Sequence, residues 1–471
     1  MAISPSKAEA AFDTSPQDSI LCSMRPRECA GLHLLAACLS RAVRQSRLLK
    51  IVASGHSELP ERVFALHWSA SPNSMGNFSE KADFPDSNSL DLALRHPTPD
   101  ECVIIWTNTF ESWGDSLPLP EYLNESLFLT TVPLAKDEGM SNWILVDKNL
   151  PPNQRPILCS CETFRKHSLT SNAVGNVDDN IVHGIASVFC APGYRRRGYP
   201  VRMMKELAKT LPTWQLDASR CVGSILYSDI GKEYYGNLGW HPNPTNSHLT
   251  FEPRIAPKLS LGQEIVEGDL AELCKRDEIM VRKAMATPTN DVKMRVTIVP
   301  DLDHMLWHIR KEDFASRYLF GKVPPAKGAI AGSPGNQVWA IWTHRYYGPL
   351  DAEPRNNVLY ILRLVVEADE TATRLPLDAE KKFKGARYDE QVAYLKAVLQ
   401  AAQAEAAEWK LDHVKLWDPT PLVQDMIMQS GIDHVVVERE EDSIASGMWY
   451  GENGQGSVAP LWVNNEHYAW L

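Results

Sequence analysis

Apolar and polar positions follow two spacings in the part of the chain that begins near residue 90. Within 98–114 the apolar residues recur every three or four positions, and Thr98 stands just ahead of Pro99 and Glu101. This pattern predicts a capped helix. Two apolar runs, NWILVDK and PILCSCETFRK, flank the turn-rich segment NLPPNQR and predict a β-hairpin.

The stretch SVFCAPGYRRRGYP joins a predicted strand to a predicted helix. The apolar run ends at Cys190, and VRMMKELAKTL after the turn has its apolar residues on one helical face. CVGSILYS predicts the next strand, DIGKEYYGNLGW a short helix that ends at Gly239, and HLTFEP the strand that closes this half. The order β-α-β-β-β-α-β-α-β favours a mixed sheet with helices on its faces, an α/β (α+β) fold.

The second half of the chain has a similar order of elements. A helix is predicted over DLDHMLWHIRKEDFASRYLF, and QVWAIWTHRYYG and NVLYILRLVVEAD predict two strands. DEQVAYLKAVLQAAQAEAAEWK predicts a long helix, because its apolar residues keep helical spacing. A strand, a helix and a strand follow, which repeats the order of the first half without a sequence repeat.

Length and composition favour a soluble protein of two or three domains. The chain has 471 residues, of which 44% are hydrophobic and 23% are charged. The net charge of −11 disfavours a nucleic-acid partner, and no apolar run reaches the ~18–20 residues of a membrane helix. Nine scattered cysteines favour a reducing compartment. The C-x-C pair Cys159 and Cys161 lacks further ligands nearby, so ordinary buried thiols and no metal site are expected.

Changes in composition suggest the domain boundaries. Residues 1–86 contain polar segments rich in Ser and Pro and are expected to form a disordered tail, with a first domain over 87–258 and a second over 259–471. The expected location is cytoplasmic. Arginines at 41, 44 and 47 leave a mitochondrial presequence open as an alternative, although acidic residues ahead of them disfavour it. A misassigned gene start is a further alternative.

The turn after Cys190 is a candidate anion site. The first backbone N–H groups of a helix lack intrahelical partners, and Gly198 lets a ligand approach the backbone closely. Arg195, Arg196 and Arg197 add positive charge that suits a phosphorylated ligand. A basic surface turn is the alternative from these residues alone, since the patterns of a P-loop and of a Rossmann turn are absent.

This segment resembles the acyl-coenzyme A loop of the GCN5-related N-acetyltransferase (GNAT) superfamily, which reads Q/R-x-x-G-x-G/A. Arg195 and Gly198 fit that pattern, and Pro200 stands at its last position. The resemblance implies that the loop from Arg195 to Tyr199 holds the pyrophosphate of acetyl-coenzyme A. It also implies contacts with the pantetheine arm from Val188, Phe189 and Cys190.

A second signature follows in the expected order. SDIGKEYYGNLGW matches the GNAT run N-x-x-A-x-x-F/L-Y-x-x-x-G-F. The match implies that Tyr235 protonates the leaving thiolate and that Ser228 replaces an asparagine of the pantetheine site. A packed helix tyrosine is the alternative for Tyr235.

Further segments extend the resemblance beyond the superfamily. Together with ILCSCETFRK, AAQAEAAEWKLDHVKLWDP and WVNNEHYAWL, the motifs resemble the fungal lysine N6-acetyltransferase family over about residues 88–471. The resemblance implies a catalytic GNAT domain, followed by a degenerate GNAT-like domain that shapes the site without binding coenzyme. It implies transfer of acetyl from acetyl-coenzyme A to the ε-amine of free lysine, in lysine degradation. The alternatives are another small amine or protein lysines as acceptor, or a non-catalytic coenzyme-binding scaffold.

Such a transfer needs a base, because only the free amine attacks and the pKa of lysine lies near 10.4. Glu162 and His183 are candidate bases on predicted strands, and the terminal carboxylate of Leu471 is a further candidate. A strand amide within 188–190 is expected to polarise the thioester. The resemblance implies that the segment with Glu111, Trp113 and Asp115 overhangs the acceptor, and these residues are candidates for binding it. A structural or surface position is the alternative for each.

Overall fold

The computed structural model describes residues 84–217, 219–255, 262–352, 355–373, 383–451 and 459–471. The tail predicted over residues 1–86 therefore lies, up to residue 83, outside the described residues. Within the described ranges the helices are α1 (Pro99–Trp113), α2 (Leu119–Leu129), α3 (Tyr199–Thr210), α4 (Glu233–Gly236), α5 (Leu270–Met285), α6 (Leu302–Phe320), α7 (Ala386–Glu408) and α8 (Pro421–Ser430).

The first of two sheets is built mainly from the first half of the chain. Its strands are β1 (Leu92–Arg95), β2 (Met140–Asp147), β3 (Cys159–Asn172), β4 (Val177–Phe189), β5 (Cys221–Ser228), β6 (His241–Pro242), β9 (Met294–Ile298), β15 (Ile444–Trp449) and β16 (Leu461–Trp462). They run in the order β1-β2-β3-β4-β5-β15-β6, and β9 joins the sheet by pairing with β3 and β16. The predicted hairpin is confirmed, because β2 and β3 pair antiparallel.

The second sheet is built mainly from the second half of the chain. Its strands are β7 (Ser247–Phe251), β8 (Gly262–Ile265), β10 (Gly328–Ala331), β11 (Val338–Arg345), β12 (Val358–Val366), β13 (His413–Trp417) and β14 (Val435–Glu438). Their order is β14-β7-β13-β12-β11-β10-β8. The strand, strand, helix, strand, helix, strand order predicted for this half is confirmed from β11 to β14.

Each sheet contains one parallel pair whose strands are connected through a long helix. β4 and β5 are parallel and are joined through α3, and β12 and β13 are parallel and are joined through α7. Parallel neighbours need such a crossover, because a tight turn reverses the chain direction. The mixed α/β fold expected from the order of elements is confirmed.

The two sheets exchange strands. β7 is a strand as predicted, but it extends the second sheet by pairing with β13 instead of closing the first. In return β15, from near the end of the chain, pairs with β5 in the first sheet. The domain boundary at 258/259 stays a prediction, and hydrogen-bonded strand pairs cross it in both directions.

Apolar helix faces explain how the sheets are covered. Tyr199, Met203, Met204 and Leu207 on α3 are buried against the first sheet, while α7 buries its apolar side against the second. A third cluster joins side chains of both sheets, including Ile225 from β5 and Ile341 from β11. Burial of apolar surface is the main favourable term in folding, so this shared cluster stabilises the contact between the halves.

Local signals mark some helices better than others. The capping box predicted for α1 is confirmed, since Thr98 Oγ1 accepts a hydrogen bond from the Glu101 N–H and the Glu101 side chain accepts one from the Thr98 N–H. Helices α2 and α5 were not predicted. Helix α2 spans eleven residues between prolines, too short a segment for its periodicity to stand out.

The described residues contain neither a helix suited to span a membrane nor a cluster of metal-ligating side chains. No helix among them has the length and apolar character needed to cross a bilayer. Likewise, no group of three or more His, Cys, Asp or Glu side chains in these ranges is arranged to hold a metal ion. Cys159 and Cys161 are free, buried thiols, as predicted.

Candidate active site

The first sheet opens between β4 and β5. Their parallel pairing runs from Ile181 opposite Cys221 to Ile185 opposite Leu226, and then stops. Beyond that point β4 continues to Phe189 along β3, while β5 continues to Ser228 along β15. The two strands are therefore held by different neighbours, and the gap between them leaves backbone available to a ligand.

A β-bulge shapes β4 at this opening. Between Ala186 and Phe189 the strand has two residues, Ser187 and Val188, opposite the single residue Cys161 of β3. Ser187 has a φ of +52°, a left-handed conformation that is uncommon for a serine. An extra residue of this kind turns side chains and backbone groups out of the regular ladder, and bulges are frequent next to active sites.

Glu162 stands on β3 beside this bulge and lines the cavity below the opening. The Ser187 hydroxyl donates a hydrogen bond of 3.0 Å to Glu162 Oε2. Burial raises the pKa of the Glu162 carboxyl, and the Ser187 hydrogen bond and the Lys311 ammonium oppose that rise. A carboxylate with a raised pKa in an apolar setting is suited to accept a proton.

The loop predicted to bind pyrophosphate joins β4 to α3. Arg195 folds back so that its Nε donates a hydrogen bond of 2.9 Å to the Cys190 carbonyl oxygen, while the Arg196 side chain is exposed. Arg197 lies over the ring of Phe84, 5.4 Å from its centroid. Gly198 caps α3 with a φ of +82° and without any side-chain cap hydrogen bond, so no side chain caps the first amides of the helix.

Tyr235 lies on the opposite side of the same opening. It belongs to the short helix α4, which follows β5, and its side chain is 8% exposed and lines the cavity. Burial and the neighbouring Tyr234 raise the pKa of Tyr235 well above that of a free phenol. The hydroxyl is thus protonated at neutral pH, as a proton donor must be.

The cavity has a volume of about 260 Å³ and draws its walls from both halves of the chain. The first half contributes the bulge of β4, α1 and α2, and the second half contributes α6, β11 and the end of the chain. The aromatic lining residues are Trp106, Trp113, Tyr122, Phe164, Tyr227, Tyr235, Trp307 and Trp470. A lining of aromatic side chains interspersed with polar groups is typical of a small-molecule site.

Two ion pairs bring charge to the cavity, and each joins a residue of the first half of the chain to a residue of the second half. Lys311 on α6 pairs with Glu125 on α2, and both side chains line the cavity. Arg345, at the end of β11, has its Nη2 2.8 Å from Asp115 Oδ2. With Glu162 and Asp229 also lining it, the cavity has more acidic than basic groups, which favours a cationic ligand.

The structure brings together some of the predicted residues and separates others. Glu162, Val188, Tyr235, Trp113 and Leu471 all line the cavity, and Asp115 reaches it through its ion pair with Arg345.

Several predicted residues, among them His183, Glu111 and Ser228, are placed elsewhere or are used locally. His183 is fully buried outside the cavity lining, its Nε2 lies 3.0 Å from the Trp214 carbonyl oxygen, and burial lowers its pKa to about 4. Glu111 is exposed on α1 and does not line the cavity. The Ser228 hydroxyl closes a turn by donating 2.7 Å to the Gly231 carbonyl oxygen, which occupies its proton locally.

Sequence reasoning missed the residues that the second half and α2 supply. Glu125, Lys311 and Arg345 are charged residues within otherwise ordinary amphipathic elements, and no local motif distinguishes them. The available signal for Lys311 and Arg345 was the absence of a coenzyme motif in the second half, which implied a role in shaping the site.

Comparisons with known proteins bear on this arrangement. Residues 248–471 match the family model described as the LYC1 GNAT-like C-terminal domain. A lysine acetyltransferase of Yarrowia lipolytica is 22% identical over 298 residues, covering 54% of this chain and 73% of that protein. The chain is an acyl-CoA N-acetyltransferase with a LYC1-type GNAT-like domain at residues 248–471. Its C-terminal family domain begins at residue 248, within β7, the strand that the structure assigns to the second sheet.

Solved structures of acyltransferases are similar to this chain over most of its length. A Saccharomyces cerevisiae N-myristoyltransferase with bound myristoyl-CoA is 8% identical, covers 80% of this chain and 89% of its own, and has a TM-score of 0.44. A GCN5-related N-acetyltransferase from Kribbella flavida is 11% identical, covers 76% and 70%, and has a TM-score of 0.41.

Proposed function

We propose that this acetyltransferase moves an acetyl group from acetyl-coenzyme A to the ε-amine of free lysine. The observation that carries the proposal is the single cavity in which Glu162, the bulge of β4 and Tyr235 lie around the opening between β4 and β5. The distant relative named as a lysine acetyltransferase supports the choice of acceptor. A role in lysine degradation is part of the same proposal.

The residues around the opening fit acetyl-coenzyme A as the donor. The uncapped start of α3 and the exposed guanidinium groups of Arg195, Arg196 and Arg197 offer donors and positive charge to a pyrophosphate. The end of β4, with Val188, Phe189 and Cys190, is free of β5 and would run beside the pantetheine arm. The coenzyme supplies an activated acetyl group, and the protein positions it.

Glu162 is the proposed base. The acceptor ammonium must lose a proton before its nitrogen attacks, and a carboxylate whose pKa burial has raised takes that proton more readily. The Ser187 hydrogen bond fixes the orientation of the carboxylate toward the bulge. Leu471 also lines the cavity, so a role for its terminal carboxylate stays a prediction.

Tyr235 is the proposed proton donor. The sulfur that leaves the acetyl group needs a proton, and the protonated Tyr235 hydroxyl lies on the α4 side of the opening, across from β4. A backbone N–H of the β4 end, within residues 188–190, would polarise the thioester carbonyl. Base, amide and acid therefore come from β3, β4 and α4.

The cavity favours a small amine over a lysine of a folded protein. It is bounded by α1, α2 and α6 and by the end of the chain, and its charge is predominantly acidic. A protein substrate would need an open groove for the residues that flank its lysine.

An assay of coenzyme thiol release over a panel of amines tests the proposal. Free lysine, other diamines, amino sugars and a lysine-containing peptide are incubated with acetyl-coenzyme A, and products are identified by mass spectrometry. We expect free lysine to give the highest kcat/KM and N6-acetyllysine as the product. Faster turnover of the peptide, or Nα-acetylation of lysine, would contradict the proposed acceptor.

A further inference from the structure

Arg345, from the second half of the chain, lines the cavity and keeps an N–H group that donates to no described residue. Its side chain is 14% exposed and makes one ion pair, from Nη2 to Asp115. The Nε atom is buried and has no hydrogen-bond partner among the described residues. A guanidinium has five N–H donors in a rigid fork, so the pair with Asp115 leaves Arg345 with donors for a further partner.

Aromatic rings hold this guanidinium in a fixed orientation. The Arg345 carbon Cζ lies 5.2 Å from the centroid of Tyr347 and 5.6 Å from that of Trp470. Arginine stacks on aromatic faces in this way while its edge stays available for hydrogen bonds. Trp470 lines the cavity together with Arg345, so the held group faces the space that the acceptor would fill.

We infer that Arg345 binds the α-carboxylate of an amino-acid acceptor and thereby makes the enzyme selective for amino acids over simple amines. The inference rests on the proposed acetylation of lysine. A carboxylate presents two oxygens that match the fork of a guanidinium, and such charge-assisted pairs are the strong ones.

The other end of the acceptor has its own partner in the same cavity. Lysine carries its ε-ammonium on a flexible four-carbon stem, so the carboxylate and the reacting amine are held apart. Glu162, beside the bulge of β4, is the partner proposed for that amine, and Arg345 comes from the other sheet. Aromatic side chains, which suit an apolar stem, form much of the wall around both groups.

A structural role is the competing explanation for Arg345. Its pair with Asp115 links the two halves of the chain, and the Ser116 N–H also donates to the Tyr346 carbonyl oxygen at this contact. A purely structural arginine would affect the turnover of every acceptor to the same extent. Selectivity among acceptors, and not activity alone, separates the two explanations.

The experiment compares four acceptors that share the reacting amine and its carbon chain and differ in the carboxylate or the α-amine at the other end. They are L-lysine, 6-aminohexanoate, lysinamide and 1,5-diaminopentane, and kcat/KM is measured for each by coenzyme thiol release. In the unmodified enzyme we expect the two carboxylates to exceed the two compounds without one by at least about tenfold, because a site built for a polar group strongly rejects analogues that lack it. Equal use of L-lysine and 1,5-diaminopentane would overturn the inference, and this arm needs no variant.

Variants then assign the selectivity to Arg345. We expect Arg345→Gln to lower the ratio of kcat/KM for L-lysine over 1,5-diaminopentane at least about tenfold, chiefly through the KM of L-lysine, and Arg345→Lys to restore part of it. Arg276→Gln is the matched control, since Arg276 also pairs with one carboxylate and stacks on one tryptophan, but lies outside the cavity lining. An unchanged ratio in Arg345→Gln would refute the assignment.

The outcomes distinguish this inference from the proposed function. If lysine is acetylated without selectivity for the carboxylate, the function stands and the role of Arg345 is wrong. If no amine in the panel releases thiol, the proposed function fails and the inference fails with it.

Discussion

The parallel pair β4·β5 and the parallel pair β12·β13 open in the same way but are filled differently. The pairing ends at Ile185 and Leu226 in the first pair and at Ile361 and Leu416 in the second. In both sheets the strand before the crossover helix carries one extra residue against its antiparallel neighbour near the end of the parallel pairing. The backbone framework for a coenzyme site is therefore present twice.

The end of the chain fills the second opening. The Leu364 N–H of β12 donates 2.9 Å to Glu466 Oε2, and Arg363 pairs with the same carboxylate. His467 stacks on Tyr360 of β12 with centroids 3.8 Å apart, and on the other side Asn465 donates to Asp418, directly after β13. In the second pair, side chains from the end of the chain therefore occupy the opening and bond to its backbone, whereas the opening in the first pair is left free for a ligand.

This difference explains how two similar openings between parallel strands can have different roles. Both crossover helices start after a glycine without a side-chain cap, but only the first opening has the arginine-rich loop sequence and Tyr235. The segment that fills the second opening continues into Trp470 and Leu471, which line the cavity of the first. The same residues that close one site help to build the other.

The largest expected effect tests the chemistry of the first opening. Tyr235→Phe removes the proposed proton donor and should lower kcat about 10³-fold, within the range for a general acid. The ring and its packing are retained, so the Kd for coenzyme should change little. Stopped assays of thiol release and a calorimetric titration measure the two quantities, and full activity in this variant would reduce Tyr235 to a packing residue.

Loss of the proposed base should have a somewhat smaller effect. Glu162→Gln should lower kcat about 10²-fold, because a water relay partly replaces the carboxylate. Burial raises the pKa of Glu162 above that of free glutamate, so activity of the unmodified enzyme should fall as the pH drops through this raised pKa and the base becomes protonated.

The pH profile provides the decisive measurement for Glu162. The acidic limb should disappear in Glu162→Gln, whereas Glu408→Gln, an exposed glutamate on α7, should keep it. An identical acidic limb in Glu162→Gln would assign the base to another group.

A change in the second opening should affect stability without affecting coenzyme binding. Glu466→Ala leaves the buried Arg363 with Asp277 and Asn464 as partners, and breaking such a buried pair costs up to about 3–5 kcal/mol of unfolding free energy. The coenzyme Kd and a stoichiometry of one per chain should stay the same. Denaturant unfolding and calorimetry measure both.

An exposed ion pair serves as the control for that change. Lys232→Ala removes the Lys232–Glu440 pair and should cost no more than about 1 kcal/mol. Two coenzyme molecules bound per chain, in either variant or in the unmodified protein, would refute the view that the second opening is closed.

Local patterns in the sequence were sufficient for the first opening but not for the second. The loop around Gly198, Tyr235 after β5, and Glu162 on β3 each stand in or beside a recognisable run of residues. Arg345 and Glu466 act through partners far away in the chain, Asp115 and Arg363, and no spacing rule connects them. The exchange of β7 and β15 was unpredictable for the same reason, because a single short strand carries no information about which sheet it joins.

The smallest expected effect concerns Pro200, in the first turn of α3. Proline lacks an N–H, but the first N–H groups of a helix have no intrahelical acceptor, and its fixed φ suits a helix start. Pro200→Ala should therefore change the coenzyme Kd by less than about threefold. Helix α8 in the second half also begins with a proline, Pro421, so Pro421→Ala is a matched control that should leave the Kd unchanged. Tighter binding by Pro200→Ala of more than about tenfold would mean that the missing N–H weakens the loop, and the first opening would then be partly degraded in the direction that the second has taken.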